Sequence, residues 1–538
     1  KQPEVHNNLA NLLKSQECFS EAEGHYLQAL LLHPNYLQAQ RNLAICYQAQ
    51  TKYKDAIMAY NKVLELSASD ASAINGIADC WRLLGDLKTA HQTYKTAVAV
   101  DPQRFKSWHN MGVNFHLQGQ LNEAIECYQK AYKLAPNISE VAESLASALY
   151  ESGEVKAAID VFTLALKANP DNVILHERLN SMLWETEFKH QYCDSYVTAM
   201  SSLSNNQDIA LSYAMMLYRA GETEQAKNII DNTGLTVSDK ANVLSLRGQI
   251  EAELGDLDAA YKLLSASLEQ SFTNAVARQM VKIDIILERY TNAQTLLEAM
   301  FSDTPHCQLT WGLQSLVWRL CEDARYCWLC DYDNFIKTYQ LPVPLEYESL
   351  DSFLKAIRDE LMPMHRNEHE PLEQTLRHGT QTAARLLHSS NPVLQALKES
   401  LKTILTSYID SLPDDIEHPF LSRKSGEFEF SGSWSVKLRP NGFHVNHVHT
   451  DGWISSSCYI SIPAGMSHFD DSEQPCQGHI KFGESPLQLG KREKIELSIE
   501  PKPGMVVLFP SYFWHGTYSF KGEQTDFRLT APFDVTPL

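Results

Sequence analysis

The feature that most restricts this chain is a period of 34 residues running through its first third. Small residues recur at Ala10, Ala44, Ala78, Gly112 and Ala146, and again at Ala22, Ala56, Ala90, Ala124 and Ala158. An aromatic residue follows at Tyr26, Tyr60, Tyr94, Tyr128 and Phe162. Proline stands at Pro34, Pro102, Pro136 and Pro170, with Ala68 in the one gap. The pattern reads as antiparallel helix pairs: small residues let two backbones approach, the aromatic fills the space toward the next pair, and proline ends the second helix. A single pair cannot bury its apolar face, so such units stack into a superhelix with a concave groove.

These residues resemble the tetratricopeptide repeat, and Trp108, Gly112 and Phe115 fit its first helix closely. The resemblance implies an α-solenoid that binds polypeptide. Asn8, Asn42 and Asn110 occupy one equivalent position, with Asn75 one residue out of register. Carboxamides spaced this way either hydrogen-bond an extended peptide in the groove or satisfy backbone groups within the repeats. Around Leu179, Leu217, Gly248 and Ala293 helical periodicity continues while the spacing drifts.

Charge and cysteine content narrow the function classes. Forty-six Lys and Arg against 66 Asp and Glu give a net charge of −20, which argues against nucleic-acid binding. No run approaches the ~18 apolar residues of a membrane span. Eleven scattered cysteines without a disulfide framework point to a reducing compartment, hence a cytoplasmic location. Cys321, Cys327 and Cys330 cluster, but a lone C-x-x-C without a matching pair reads as a buried helix face. The chain begins at Lys1 rather than methionine, so a preceding segment, including a targeting one, is left open.

The expected organisation is regular repeats over 1–172, degenerate helical repeats over 173–303, a Trp- and Cys-rich helical join over 304–345, a helical preface over 346–420 and a β domain over 421–538. Leu341, Pro342, Val343 and Pro344 mark the hinge. After His418 and Pro419, short strands punctuated by Gly, Pro and Asn follow one another closely, as in a β-sandwich or jelly roll.

Histidines concentrate in that β region. In the run FHVNHVHTDG, His447 and His449 project from one face if the segment stays a strand. His515, in PSYFWHGTY, follows another strand. Two ligands from one strand and a third from a distant one suit a facial metal site with open positions. Arg528, thirteen residues after His515, lies on the next strand, where a buried guanidinium calls for an anion such as a carboxylate.

The runs GFHVNHVHTDGWISSSCYISIP, GHIKFGE, KPGMVVLFPSYFWHGT and FRL resemble the 2-oxoglutarate- and iron-dependent oxygenases, most closely those fused to tetratricopeptide repeats. TLRHGTQT and EHPF are similar to that subgroup's helical preface. The resemblance implies a double-stranded β-helix that uses Fe(II), 2-oxoglutarate and O₂. It makes His447 the first ligand, His515 the distal one and Arg528 the anchor of the cosubstrate's far carboxylate. The usual acidic ligand falls on His449, so the site is either three-histidine or shifted by two, with Asp451 as carboxylate ligand and His447 behind. An uninterrupted strand through His449 and a turn at Asp451 favour the first. Tyr459 and Ser457 are candidates to hydrogen-bond the cosubstrate or are ordinary strand residues.

His444, expected to alternate away from His447, and His468 and His479 are expected at the surface or behind the ligands. Asp470, Asp471 and Glu473 read as a solvated loop over the site, while Trp453, Phe513 and Trp514 pack the barrel. The implied activity is hydroxylation of a polypeptide recruited by the repeats. The alternatives are a small-molecule oxygenase on a repeat scaffold, or a silent adaptor. Substrate and oligomeric state stay open.

Overall fold

The computed structural model describes residues 2–538 apart from 204–205, 238–239, 373, 383–385, 464–465 and 467–475. The chain divides into two compact units, Lys1–Leu179 and Asn180–Leu538.

The first unit is a stack of antiparallel helix pairs, beginning Pro3–Ser15 with Phe19–Leu32 and Leu37–Ala49 with Tyr53–Leu66. The periodic residues form its interior. Ala10, Ala22, Ala44, Ala56, Ala78, Ala90, Ala124, Ala146 and Ala158 have no exposed surface, and Tyr26 and Tyr94 are equally enclosed. Burying each such aromatic contributes about 3 kcal/mol. Gly112 is small of necessity, because a Cβ there would lie 2.7 Å from the Tyr128 ring.

A second periodic element lies in the turn between the two helices of each pair. Glu17, Thr51, Gly85, Gly119 and Gly153 all adopt positive φ. The same conformation returns at Gly221 and Gly255, still in the register of 34, and then at Glu288 and Glu322. The repeats that drift in sequence therefore keep their turns. The period is interrupted around Glu187–Gln191, where the chain forms a 3₁₀ helix, and loses one residue before Glu288.

In the second unit, helix pairs including Asn274–Ile286 with Tyr290–Asp303 lead to helix Gln308–Leu320. Part of the expected join is thus the first helix of a further repeat. It is followed by β1 (Lys337–Gln340), helix Leu350–Leu361, β2 (Leu376–Gln381) and helix Pro392–Ser411. The segment TLRHGTQT, expected within a helical preface, supplies β2, because it pairs with a strand of the β domain instead of continuing the helical period.

The remaining strands are β3 (Phe428–Ser433), β4 (Val436–His444), β5 (Ile454–Ser461), β6 (Ile480–Phe482), β7 (Leu497–Ile499), β8 (Met505–Pro510), β9 (His515–Thr517), β10 (Arg528–Thr530) and β11 (Phe533–Pro537). They form an antiparallel sheet in the order β1-β8-β5-β10-β4-β2, with β11 joining β5 to β3, and a second sheet β7-β6-β9. This is a jelly-roll arrangement. Phe482 of the small sheet packs on Phe509 of the large one, and Phe353, Leu401 and Tyr408 of the two helices close the same core.

The last repeat helix supports the β domain. Gly312 admits Val448 and Trp514 so closely that a Cβ would lie 3.1 Å from Val448 Cγ1, and Trp514 Nε1 donates to Gly312 O at 2.7 Å. Gln308 N–H donates to Thr450 O at 3.1 Å, and Arg492 donates to Ile285 O and Ile286 O. Among the described residues no helix is long and apolar enough to cross a membrane. All eleven cysteines are free; Cys330 is buried, but Cys321 and Cys327 are exposed, so no shared buried face exists.

Candidate metal centre

β4 ends at His444, and this changes how the histidines are held. His447 and His449 do not continue that strand, because the chain turns at Val445 and Asn446. His447 instead pairs with His515 through two backbone bonds, N–H to O at 2.8 and 3.0 Å, and His449 N–H donates to Ser511 O. These bonds bring rings 66 and 68 residues apart in sequence to centroid separations of 5.1 Å for His449 and His515, and 4.2 Å for His447 and His515.

Among the described residues, one nitrogen from each of His447, His449 and His515 lies within 4.8 Å of the others. Each ring has its Nδ1 bound to an oxygen acceptor: Val445 O for His447 at 2.8 Å, Phe513 O for His515 at 2.9 Å, and the Asp534 carboxylate for His449 at 2.6 Å. Acceptor oxygens require a proton on Nδ1, so Nε2 of the neutral ring carries the lone pair. The Nε2 atoms of His447 and His449 stand 3.2 Å apart. Burial holds His447 down to about 3 and His515 well below the ordinary range. Converging imidazoles whose far nitrogens are fixed by carbonyls and a carboxylate fit a divalent metal.

The rings line a cavity of about 480 Å³ that also admits His444, Ser457, Trp434, Asp451 and Arg528. Arg528 enters from β10 between β4 and β5 and is 2% exposed. Its Nη1 donates to Gly478 O and its Nη2 to Thr517 Oγ1, while its Nε is buried with no partner. No described carboxylate pairs with it. Tyr459, whose ring centre is 6.0 Å from the guanidinium, is fully buried with its hydroxyl also unpartnered. Orphaned donors of this kind are expensive to bury and fit an anionic ligand. Ser457 lies two residues before Tyr459 on β5 and lines the cavity.

Asp451 is exposed on the cavity lip and stands outside the group of three. His444 does not alternate away: with its strand finished, it lines the cavity 5.9 Å from the His447 ring, kept well below the usual histidine range by burial. His479 sits on the small sheet's side, bonded to Ser498. His468, Asp470, Asp471 and Glu473 lie outside the described residues. Asp534 is the residue sequence reading missed; its only signal is a single acid in the otherwise apolar strand start FDV. Trp434, stacked 5.8 Å from His449, was equally unmarked.

In the repeats, Asn8 is exposed. Asn42 is buried and donates to Asn7 and Asn11, while Asn75 and Asn110 both donate to Asp79.

Residues 432–534 match the family described as "Putative 2OG-Fe(II) oxygenase", and residues 2–69, 47–105 and 105–138 match tetratricopeptide-repeat families. No curated protein matches the chain. Among solved structures, PilF of Pseudomonas aeruginosa is similar over 40% of this chain and 91% of its own, at 20% identity and a TM-score of 0.32. A tetratricopeptide repeat protein from Parabacteroides merdae is similar over 52% of this chain and 98% of its own, at 15% identity and a TM-score of 0.31. A thermophilic one from Thermus thermophilus covers 34% of this chain and 98% of its own, at 19% identity and a TM-score of 0.30.

Proposed function

We propose, for a chain that carries tetratricopeptide repeats at its N-terminus and a 2OG-Fe(II) oxygenase domain at its C-terminus, that it hydroxylates a polypeptide held by the repeats. The regular repeats over 1–172 and the degenerate ones over 173–303 recruit the substrate. The join over 304–345, the preface over 346–420 and the β domain over 421–538 form the oxygenase. The observation that carries this reading is the meeting, in one cavity, of three imidazoles and a buried guanidinium that has no counter-charge among the described residues.

His447, His449 and His515 hold the iron. His449 is preferred to Asp451 because its Nε2 stands beside that of His447 while Asp451 is out on the lip. Asp534, Val445 O and Phe513 O fix the ring orientations. Arg528 grips the far carboxylate of 2-oxoglutarate with its two-nitrogen edge, Tyr459 adds its hydroxyl, and Ser457 binds nearer the iron. Bound together, iron(II) and 2-oxoglutarate supply an O₂-dependent oxidation in which one oxygen atom goes into succinate and the other into the substrate. Trp434 beside His449 and Phe509 beside His515 wall the cavity and exclude water from the reacting centre.

The test is succinate formation from 2-oxoglutarate by the iron-loaded protein. The parent is expected to turn over slowly without a second substrate, His515→Ala to lose turnover, and Arg528→Gln to raise KM for 2-oxoglutarate by about two orders of magnitude. Metal-dependent succinate that never accompanies an oxygen-shifted peptide would favour a small-molecule substrate, and its complete absence would end the oxygenase reading.

A further inference from the structure

Four histidines line the cavity, and their Nδ1 partners divide them into two kinds. His447, His449 and His515 each face an oxygen that only accepts, a main-chain carbonyl or a carboxylate. His444 Nδ1 instead stands 3.2 Å from Thr375 Oγ1, a hydroxyl that can donate. A hydroxyl proton given to Nδ1 leaves the ring's own proton on Nε2, so this ring is a donor where the other three offer lone pairs. His444 is accordingly outside the group whose nitrogens converge within 4.8 Å.

Main-chain bonds hold the ring in place. His444 pairs with Leu376 across β4 and β2, its N–H donates to Thr517 Oγ1 at 2.9 Å, and Val445 N–H donates to Thr375 O at 2.8 Å. Thr517 Oγ1 also accepts from Arg528 Nη2 at 3.4 Å, so one hydroxyl ties His444 to the guanidinium. The ring centre is 5.9 Å from that of His447. His444 thus adjoins both the triad and Arg528, the two groups that an α-keto diacid in this cavity would join. The ring is half-buried and makes no second hydrogen bond among the described residues. Arg528 and Arg377, the charged side chains that bear on it, are both cations, so the local field favours an anion.

We propose that His444 is a further cosubstrate-binding residue, whose Nε2–H donates to the carboxylate at the 2-oxo end of 2-oxoglutarate. The proposal deepens the oxygenase reading and rests on it for the identity of the diacid. The 2-oxo end is favoured over the far end because Arg528 serves the far carboxylate and the His444 ring lies beside that of His447. A donor fixed by Thr375 selects one orientation of that carboxylate beside the triad.

The test is calorimetric titration of the full Fe(II)-loaded chain under nitrogen, where nothing turns over. The ligands are 2-oxoglutarate and pyruvate, which keeps the 2-oxo end and lacks the far carboxylate. His444→Phe keeps a ring and removes the donor; it is expected to weaken both ligands by about 10–100-fold, and His444→Gln to recover most of the loss. Thr375→Val, which removes the hydroxyl that sets the tautomer, is expected to weaken both by less. Arg528→Gln is expected to weaken 2-oxoglutarate and leave pyruvate unchanged. Melting and Fe(II) affinity are expected to stay at parent values in His444→Phe, as a ring that serves the cosubstrate alone requires. Unchanged affinity for both ligands in His444→Phe, or a loss confined to 2-oxoglutarate, would overturn the assignment. A fall in Fe(II) affinity as large as the fall in ligand affinity would also overturn it, by making His444 a support of the triad. A parent that holds Fe(II) and binds neither 2-oxo acid would end the oxygenase reading itself, and this proposal with it.

Discussion

Asp534 shows how one side chain governs a centre it does not enter. Its carboxylate accepts from His449 Nδ1 and is itself fixed by Ser455 Oγ at 2.7 Å, so it sets both the tautomer and the angle of that ring. Asp534→Ala is expected to lower Fe(II) affinity by about 10–100-fold, with Asp534→Asn recovering part of it through its remaining acceptor oxygen. Calorimetric titration with Fe(II) under nitrogen would measure both. A second residue carries a pH dependence remote from the site. Asp284 has no exposed surface, both its carboxylate oxygens lack partners, and burial raises it to about 6. A carboxyl raised on folding is held protonated more tightly in the folded state, so its contribution is most favourable at low pH and is lost as pH rises from about 4 to about 6. Asp284→Asn is therefore expected to stabilise the protein at pH 7 by roughly 1–3 kcal/mol and to leave stability near pH 4 unchanged, as urea unfolding at the two pH values would show.

At the scale of elements, the helix Gln308–Leu320 connects the repeats to the chemistry, since it abuts the chain between His447 and His449. Gly312 is what permits the approach: Val448 Cγ1 and Tyr512 O stand 3.1 and 3.2 Å from where a Cβ would be. Gly312→Leu is expected to cost about 1–3 kcal/mol and to weaken Fe(II) binding by displacing the histidine segment, while Gly312→Ala does less of both. Urea midpoints and metal titration on the same samples would separate the two effects. This element also marks where sequence reading stopped. The period of small and aromatic residues specified the regular repeats because each position has one packing role. In the later repeats the interior was kept with different residues, such as Leu264 against Gly248, so only the positive-φ turns preserve the count. Parity along a strand placed His447 and His449 together, but it presumed a strand that ends at His444; backbone pairing with His515 and Ser511 does that work instead. His444 was misplaced by the same presumption.

For the whole molecule, the jelly roll, the helical solenoid and the triad of histidines were legible, because periodicity and ligand spacing are local properties. The parts that depend on distant chain segments were not: β1 and β2 lie outside the run of obvious strands, Asp534 reaches His449 across 85 residues, and the last repeats share a core with the β domain. That shared core, in which Trp514 and Leu489 pack with Val281, Leu297 and Leu313, gives an expectation for fragments. Residues 180–538 are expected to retain Fe(II) and 2-oxoglutarate binding, whereas a fragment starting at 346 exposes that core and is expected to lose both, as gel filtration and metal titration of the two would show. His447, His449 and His515 are proposed to gather one iron atom beside a guanidinium that holds an α-keto diacid. Anaerobic addition of 2-oxoglutarate to the Fe(II)-loaded chain, followed by visible absorption, tests it most directly. A weak charge-transfer band that is lost in His447→Ala and His515→Ala is the expected result; no band in the parent, or a band that survives both substitutions, would contradict it.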